Sequence, residues 1–183
     1  MGKHVKGALF LDYVRMVKKR KDVNWGQYLT PEDNKILEQL ILPSAWYPLE
    51  TYQRLGAAVL HEIAKGKVEL VRQWGRISME ELTKVYANLV CAGNPLRSLE
   101  IFQLLRTRFF DSEVLEVTPV GDNGARIKVD ATFAGEAEEA YAYQMLGSFE
   151  RLLELSGAKN IKYRFSQASR KGDPNTVIEI KWE

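Results

Sequence analysis

Two histidines and one cysteine have the most reactive side chains in this sequence. His4, His61 and Cys91 could ligate a transition metal, move a proton or attack a substrate. A zinc site needs converging ligands, usually in pairs separated by about two to five residues. These three residues share no such spacing. The sequence therefore predicts no metal centre and requires no metal cofactor.

Cys91 is the one candidate nucleophile of this group. A catalytic thiolate needs a base or a positive field beside it, and the sequence places neither His61 nor Arg97 there. Cys91 follows Leu89 near the end of a predicted helix, where a small buried thiol is the usual outcome. His61 lies opposite the apolar stripe of its own helix, so we expect it to face solvent. We predict that the protein is not an enzyme; an enzyme acting through Cys91 is the third-ranked hypothesis.

Carboxylates and glycines give no further catalytic signal. The acids cluster at predicted helix starts, where negative charge stabilises the helix dipole: Glu80, Glu81, Glu136, Glu138 and Glu139. The glycines at 121, 124 and 172 belong to turns, and no phosphate-binding loop, dinucleotide fingerprint or nucleophile elbow is present. We predict no catalytic residue.

Aromatic side chains are the more informative group, because an amphipathic ring can line a ligand pocket or an interface as well as a core. Ordinary core packing is the alternative for each of them. We select six as tentative walls of a ligand site: Trp46, Tyr47, Trp74, Tyr86, Phe102 and Tyr143.

The last seventy residues must form a β-β-α-β-β unit. Two strand pairs, at 115–120 with 125–133 and at 161–168 with 176–182, flank a long amphipathic helix at 136–156. Glycine, asparagine, aspartate and proline fill both intervening turns, as hairpins require. An antiparallel sheet covered by that helix is the simplest closure.

The first half of the chain reads as helical. Helical spacing of apolar residues predicts helices at 5–21, from a Thr30-Pro31 start to 42, at 49–64, from a Ser78 capping box to about 92, and at 95–109. The last of these is apolar nearly all round and is expected at the centre of the helical half. The sequence therefore predicts an α+β protein: a single domain over 1–183, with a helical subdomain at 1–112 and a sheet-and-helix subdomain at 113–183.

Composition and charge limit the partners and the cellular compartment that we expect. A net charge of +2 gives no reason to expect nucleic acid, and the bases at 18–21 are explained by a helix C-terminus. Asp12 and Arg15 interrupt the first apolar run, so we predict neither a signal peptide nor membrane association. A lone cysteine fits a reducing cytoplasm.

Several short strings together resemble an uncharacterised family with many paralogues in myxobacteria, a domain of unknown function. The strings are Val5-Lys6-Gly7-Ala8-Leu9-Phe10, Ala45-Trp46-Tyr47-Pro48, Trp74-Gly75-Arg76, Phe109-Phe110-Asp111, Gly147-Ser148-Phe149-Glu150, Ser156-Gly157-Ala158-Lys159-Asn160 and residues 177–182. The resemblance covers nearly the whole chain and implies no activity.

The order of elements is also similar, more remotely, to the fold shared by haem nitric-oxide-binding domains, vinyl-reductase-type sensor domains and transport-particle subunits. That resemblance implies a ligand pocket between helices and sheet. The haem branch uses a proximal histidine and a Tyr-x-Ser-x-Arg motif; His61 has no matching context and Tyr163-Arg164-Phe165-Ser166 has the wrong spacing. In the transport-particle branch a cysteine can be acylated, but no motif assigns that role to Cys91.

Two functional hypotheses follow. The first is a non-enzymatic, cytoplasmic sensory or regulatory module that binds a small apolar or amphipathic ligand between helices and sheet, without haem. The alternative is a homodimeric protein-interaction scaffold whose surplus aromatic residues belong to an interface.

Overall fold

Helices occupy the chain as far as residue 106, and the main sheet begins at residue 115. The computed structural model describes residues 3–129 and 135–183. The helical half, up to residue 106, contains β1 (His4–Lys6), α1 (Gly7–Lys19), α2 (Pro31–Glu38), β2 (Trp46–Pro48), α3 (Leu49–Glu62), α4 (Val68–Val85) and α5 (Pro95–Arg106). The half that carries the main sheet contains β3 (Leu115–Pro119), β4 (Gly124–Val129), α6 (Gly135–Leu155), β5 (Lys162–Gln167) and β6 (Thr176–Lys181). The predicted α+β class and the β-β-α-β-β order are confirmed.

The main sheet is antiparallel throughout, in the order β3-β4-β6-β5. Ile127 lies opposite Ile178 and both are buried, whereas the next pair along the strands is Arg126 opposite Glu179. The Arg164 guanidinium donates to Glu179 at 2.7 Å from the neighbouring strand. One face of the sheet is therefore apolar and the other charged, as expected where a sheet packs on a core through one side. The predicted end of the second strand, residues 130–133, lies outside the described residues.

Helix α6 lies between the sheet and the other helices. On its sheet side the Tyr143 ring is 5.2 Å from the Phe165 ring, and Glu138 accepts a hydrogen bond from Thr176. Four successive residues in its middle, 146–149, are all buried. The predicted bounds of this helix are right to within one residue, and it covers the sheet as predicted. Helices pack on its other side as well, which makes it the central helix.

Helices α4 and α6 cross at a distance that only glycine permits. A Cβ on Gly75 would lie 1.9 Å from the Gln144 carbonyl oxygen, and a Cβ on Gly147 would lie 1.9 Å from the Arg72 carbonyl oxygen. Beside this contact the Arg72 guanidinium donates to both oxygens of the Glu150 carboxylate, at 2.7 and 2.6 Å. Two further ion pairs join the same helices, Arg76 with Glu154 and Arg151 with Glu80, both at 2.7 Å.

Three local predictions differ from the structure. Ser78 does not cap a helix: α4 begins ten residues earlier, because Val71, Gly75 and Met79 continue one buried stripe through it. Since α4 ends at Val85, Cys91 lies in a loop and is half-buried rather than at a helix end. The segment from Trp46 to Pro48, expected as an aromatic corner, pairs as β2 with β1.

None of the helices in the described parts of the chain has the length and hydropathy needed to cross a bilayer.

We predict that Gly147→Ala lowers the free energy of unfolding by about 3 kcal/mol, because the added methyl group must displace the backbone of α4. The matched control is Gly56→Ala in α3, where the nearest atom to the new Cβ is 3.4 Å away. That substitution should be neutral or stabilise by up to about 1 kcal/mol through helix propensity. Equilibrium urea unfolding measures both changes. Equal stability of the two variants would contradict the glycine contact.

Candidate functional site

A cleft of about 750 Å³ opens between α1 and α4, with α5 and α6 at its inner end. Its apolar lining consists of Ala8, Leu9, Met16, Trp74, Ile77, Met79, Leu82, Val85, Tyr86, Phe102, Phe109 and Met145. Its polar lining consists of Asp12, Tyr13, Arg15, Lys19, Tyr52, Ser78, Glu81, Arg106, Tyr141, Gln144 and Ser148. No described strand contributes to this lining. The predicted position between helices and sheet is therefore wrong for this cleft, because α6 separates it from the sheet.

The lining changes character from mouth to inner end. At the mouth, α4 exposes apolar side chains, Ile77 and Val85, while α1 exposes charged ones, Arg15 and Lys19. Deeper in, Met79, Phe102 and Phe109 are buried. A molecule entering the cleft thus passes from a mixed charged and apolar rim to a water-poor interior.

Arg106 is the charged residue at the inner end, and its residue surface is only 7% exposed. Its Nη2 donates to the Tyr141 hydroxyl at 2.7 Å, and its guanidinium carbon lies 4.4 Å from the centre of the Phe110 ring. Its Nε is buried and has no hydrogen-bond partner. Within residues 3–129 and 135–183, no carboxylate lies within ion-pair distance of this guanidinium.

Three tyrosine hydroxyls share the same interior. The Tyr13 hydroxyl donates to the Gln144 side-chain oxygen at 3.0 Å, and the centres of the Tyr13 and Tyr52 rings are 4.9 Å apart. Burial raises the pKa of Tyr13, Tyr52 and Tyr141, and the positive charge of Arg106 opposes that rise in each case. All three hydroxyls are therefore neutral hydrogen-bond donors near pH 7.

The six predicted wall residues separate into two groups. Trp74, Tyr86 and Phe102 line the cleft. The other three lie elsewhere, because each has a different neighbour: the Trp46 ring lies 4.1 Å from the Lys6 ammonium on the surface, Tyr47 stacks on Phe10 at 5.0 Å, and Tyr143 faces Phe165 on the sheet side of α6.

Sequence reasoning missed the polar residues of the inner end. Neither Tyr13 nor Arg106 is among the site residues predicted from the sequence. The available signal was a pair of arginines, Arg106 and Arg108, in a helix that is apolar nearly all round, since a cation in such a helix must be buried or must extend to solvent.

The histidines and the cysteine lie away from the cleft. His4 Nδ1 is 2.7 Å from the Asp111 carboxylate, and His61 Nε2 is 2.9 Å from the Glu136 carboxylate. The His61 side chain is about half exposed, which confirms that it faces solvent. In the described parts of the chain, no three histidine, cysteine or acidic residues are grouped as a metal site requires.

Comparison with known proteins gives a fold but no sequence family. No family model matches the chain, and no curated protein sequence matches it. The resemblance to the myxobacterial paralogues therefore stays a prediction.

Several solved structures do match. An H-NOX protein from S. oneidensis in the Fe(II)NO ligation state aligns with a TM-score of 0.64 at 11% identity, covering 97% of this chain and 99% of that one. An unliganded Fe(II) H-NOX mutant from K. algicida aligns with a TM-score of 0.65 at 14% identity, covering 97% and 96%. A T. tengcongensis H-NOX mutant aligns with a TM-score of 0.61 at 14% identity, covering 97% of each chain. The chain has the H-NOX fold, as the remote resemblance implied.

Haem is the group that this fold family implies, since another matching structure, at 15% identity and a TM-score of 0.62, comes from work on haem distortion in H-NOX proteins. The side chains lining the cleft do not fit a histidine-ligated haem, because none of them is histidine or cysteine. The string Tyr163-Arg164-Phe165-Ser166 lies on β5, where Arg164 is paired with Glu179.

We predict that three of the eight tyrosines, Tyr13, Tyr52 and Tyr141, ionise at a higher pH in the folded protein than an exposed tyrosine does, because burial raises the pKa of each. A phenol whose pKa is raised by folding favours the folded state below its unfolded value of about 10, so stability falls as the pH rises above that value. Ultraviolet titration of tyrosinate should show a late fraction of three that ionises together with unfolding. In Tyr13→Phe this late fraction should fall to two; early ionisation of all eight would contradict the buried cluster.

Proposed function

We propose that this chain is a non-enzymatic sensory or regulatory module that binds a small apolar or amphipathic molecule in the cleft between α1 and α4. The volume and lining of that cleft carry the proposal. About 750 Å³ lies within the range of roughly 300–1,000 Å³ typical of small-molecule sites. Such sites are mostly apolar with a few convergent polar groups, which is the composition found here.

Methionine supports a ligand of irregular shape. Met16, Met79 and Met145 line the cleft on three different helices. An unbranched thioether side chain adapts its conformation to what it packs against, so these residues can close around ligands that differ in outline. The rings of Trp74, Tyr86 and Phe102 supply flat apolar surface at the same site.

A role other than catalysis is supported by the hydroxyls available in the cleft. Ser148 donates to the carbonyl oxygens of Gly75 and Gln144, both at 3.1 Å, and its partners contain no base. A serine nucleophile needs an adjacent base to remove its proton, and no histidine lines the cleft. We retain the cytoplasm as the proposed location.

Binding in the host is the direct test. Native mass spectrometry of the protein purified from its own host should show a co-purifying small molecule. Leu82→Trp should remove that mass, because an indole on this half-buried residue of α4 fills the cleft. The control is Leu104→Trp on α5, at a side chain that is 63% exposed and outside the lining. Identical adducts on both variants would place the molecule elsewhere.

We also propose that the ligand is not haem. Added ferric haem should then leave the visible spectrum equal to that of free haem plus protein, since no imidazole or thiolate reaches the cleft. Leu82→Trp serves again as the control. Stoichiometric haem binding by the wild type that Leu82→Trp abolishes would overturn the proposal.

A homodimeric scaffold is the second candidate, and exposed apolar side chains at one end of the helical half favour it. Leu40 is 83% exposed, and Leu42 and Trp46 are each about half exposed. Leu42 and Trp46 are held in one local structure, since the Leu42 N–H donates to the hydroxyl of Tyr47 at 2.9 Å. Sedimentation velocity over a wide concentration range tests this candidate; a monomer throughout would remove it.

A further inference from the structure

Arg106 is a buried cation with no counter-anion in the described ranges, and it lines a cleft large enough for a ligand. Arginine is rarely buried unless it is paired, because removing its charge from water costs several kcal/mol. Two half-buried arginines of α4 are paired in this way with acids of α6: Arg72 with Glu150, and Arg76 with Glu154. Among the described residues, Arg106 has one hydrogen-bond acceptor, the hydroxyl of Tyr141.

Aromatic rings offset only part of the free-energy cost of burying the charge of Arg106. The Arg106 guanidinium carbon lies 4.4 Å from the Phe110 ring centre and 5.7 Å from those of Phe102 and Tyr141. Ring faces attract a cation by about 0.5–2 kcal/mol each, but they accept no conventional hydrogen bond. The buried Nε of Arg106 therefore remains a donor without an acceptor.

We infer that the molecule bound in the cleft is an apolar monocarboxylate, and that Arg106 at the inner end of the cleft binds its carboxylate. This inference rests on the proposed function, because it specifies the ligand of the same cleft. A guanidinium matches a carboxylate in a planar, two-point hydrogen bond, and such a bond would give an acceptor to the buried Nε, which has none among the described residues.

The charges of the lining favour one negative charge on the ligand. Arg15, Lys19 and Arg106 are its bases, and Asp12 and Glu81 are its acids, so the lining carries an excess of one positive charge. The acids and the other two bases are exposed. Only the charge of Arg106 is shielded from water, and a single guanidinium at an apolar inner end suits a monoanion better than a phosphate dianion, which needs more donors.

A matched pair of probes tests the inference on the wild-type, full-length protein. Decanoate and decan-1-ol have the same apolar chain and differ in the head group. Isothermal titration calorimetry at pH 7 should show that decanoate binds about 10- to 100-fold more tightly than decan-1-ol, as expected for charge-assisted hydrogen bonds in a buried site. This comparison needs no substitution, so it does not depend on the folding of any variant.

Three variants test whether Arg106 causes the preference for decanoate. Arg106→Met removes the charge at similar length and should abolish the preference for decanoate over decan-1-ol. Arg106→Lys should retain part of the preference, because it keeps the charge but loses the planar fork. The control, Arg97→Met, changes an exposed arginine of the same helix, paired with Glu100 at 2.9 Å, and should bind as the wild type does.

The outcomes separate this inference from the proposed function. Equal binding of decanoate and decan-1-ol to the wild type, or a decanoate preference that survives Arg106→Met, would overturn the role of Arg106 and leave the ligand-binding module standing. Binding of neither probe at millimolar concentration would count against both. A preference lost in Arg106→Met and kept in Arg97→Met would establish the carboxylate site.

Discussion

Direct contact between the backbones of α4 and α6 determines the shape of the helical half. Where Gly75 and Gly147 meet, no side chain separates the two helices, and the buried Arg72–Glu150 pair fixes their relative rotation. Away from this contact, residues of α4 and α1 line opposite sides of an open space. The space left between α1 and α4 is the cleft. Its inner wall is the same central helix that supports the sheet.

Arg72 and Arg106 differ in how the protein balances their positive charge. Arg72 and Glu150 satisfy each other with two short hydrogen bonds and hold two helices together. Arg106, by contrast, rests on aromatic rings and one hydroxyl, a few residues before the chain passes from helices to strands. The charges of Arg72 and Glu150 neutralise each other and need no further partner. The charge of Arg106 has no such partner among the described residues, so a bound anion would stabilise it. This difference is why we assign structure to one and ligand recognition to the other.

The sequence predicts the sheet and the central helix well, because their signals are local. Turn residues at 121–124 and 170–175 and alternating apolar residues such as Ile178 and Ile180 set the strands. Acids in the first turn of α6, and Gly157 with a positive φ just past its end, set that helix. The cleft is not predictable in the same way. Its lining comes from α1, α3, α4, α5 and α6 together, so Trp74 and Tyr13 come together only through tertiary packing. Ser78 shows that a local signal can also mislead. A capping pattern does not begin a helix where the buried apolar stripe continues through it, as it does in α4.

The position of Trp74 gives the protein a built-in optical probe. All four tryptophans belong to the described ranges, and Trp74 alone lines the cleft; Trp25 and Trp46 lie on other surfaces and Trp182 is buried at the end of the main sheet. Indole emission depends on the polarity around the ring. The fluorescence of this one side chain therefore reports whether water or an apolar molecule fills the space beside α4, and no label has to be attached.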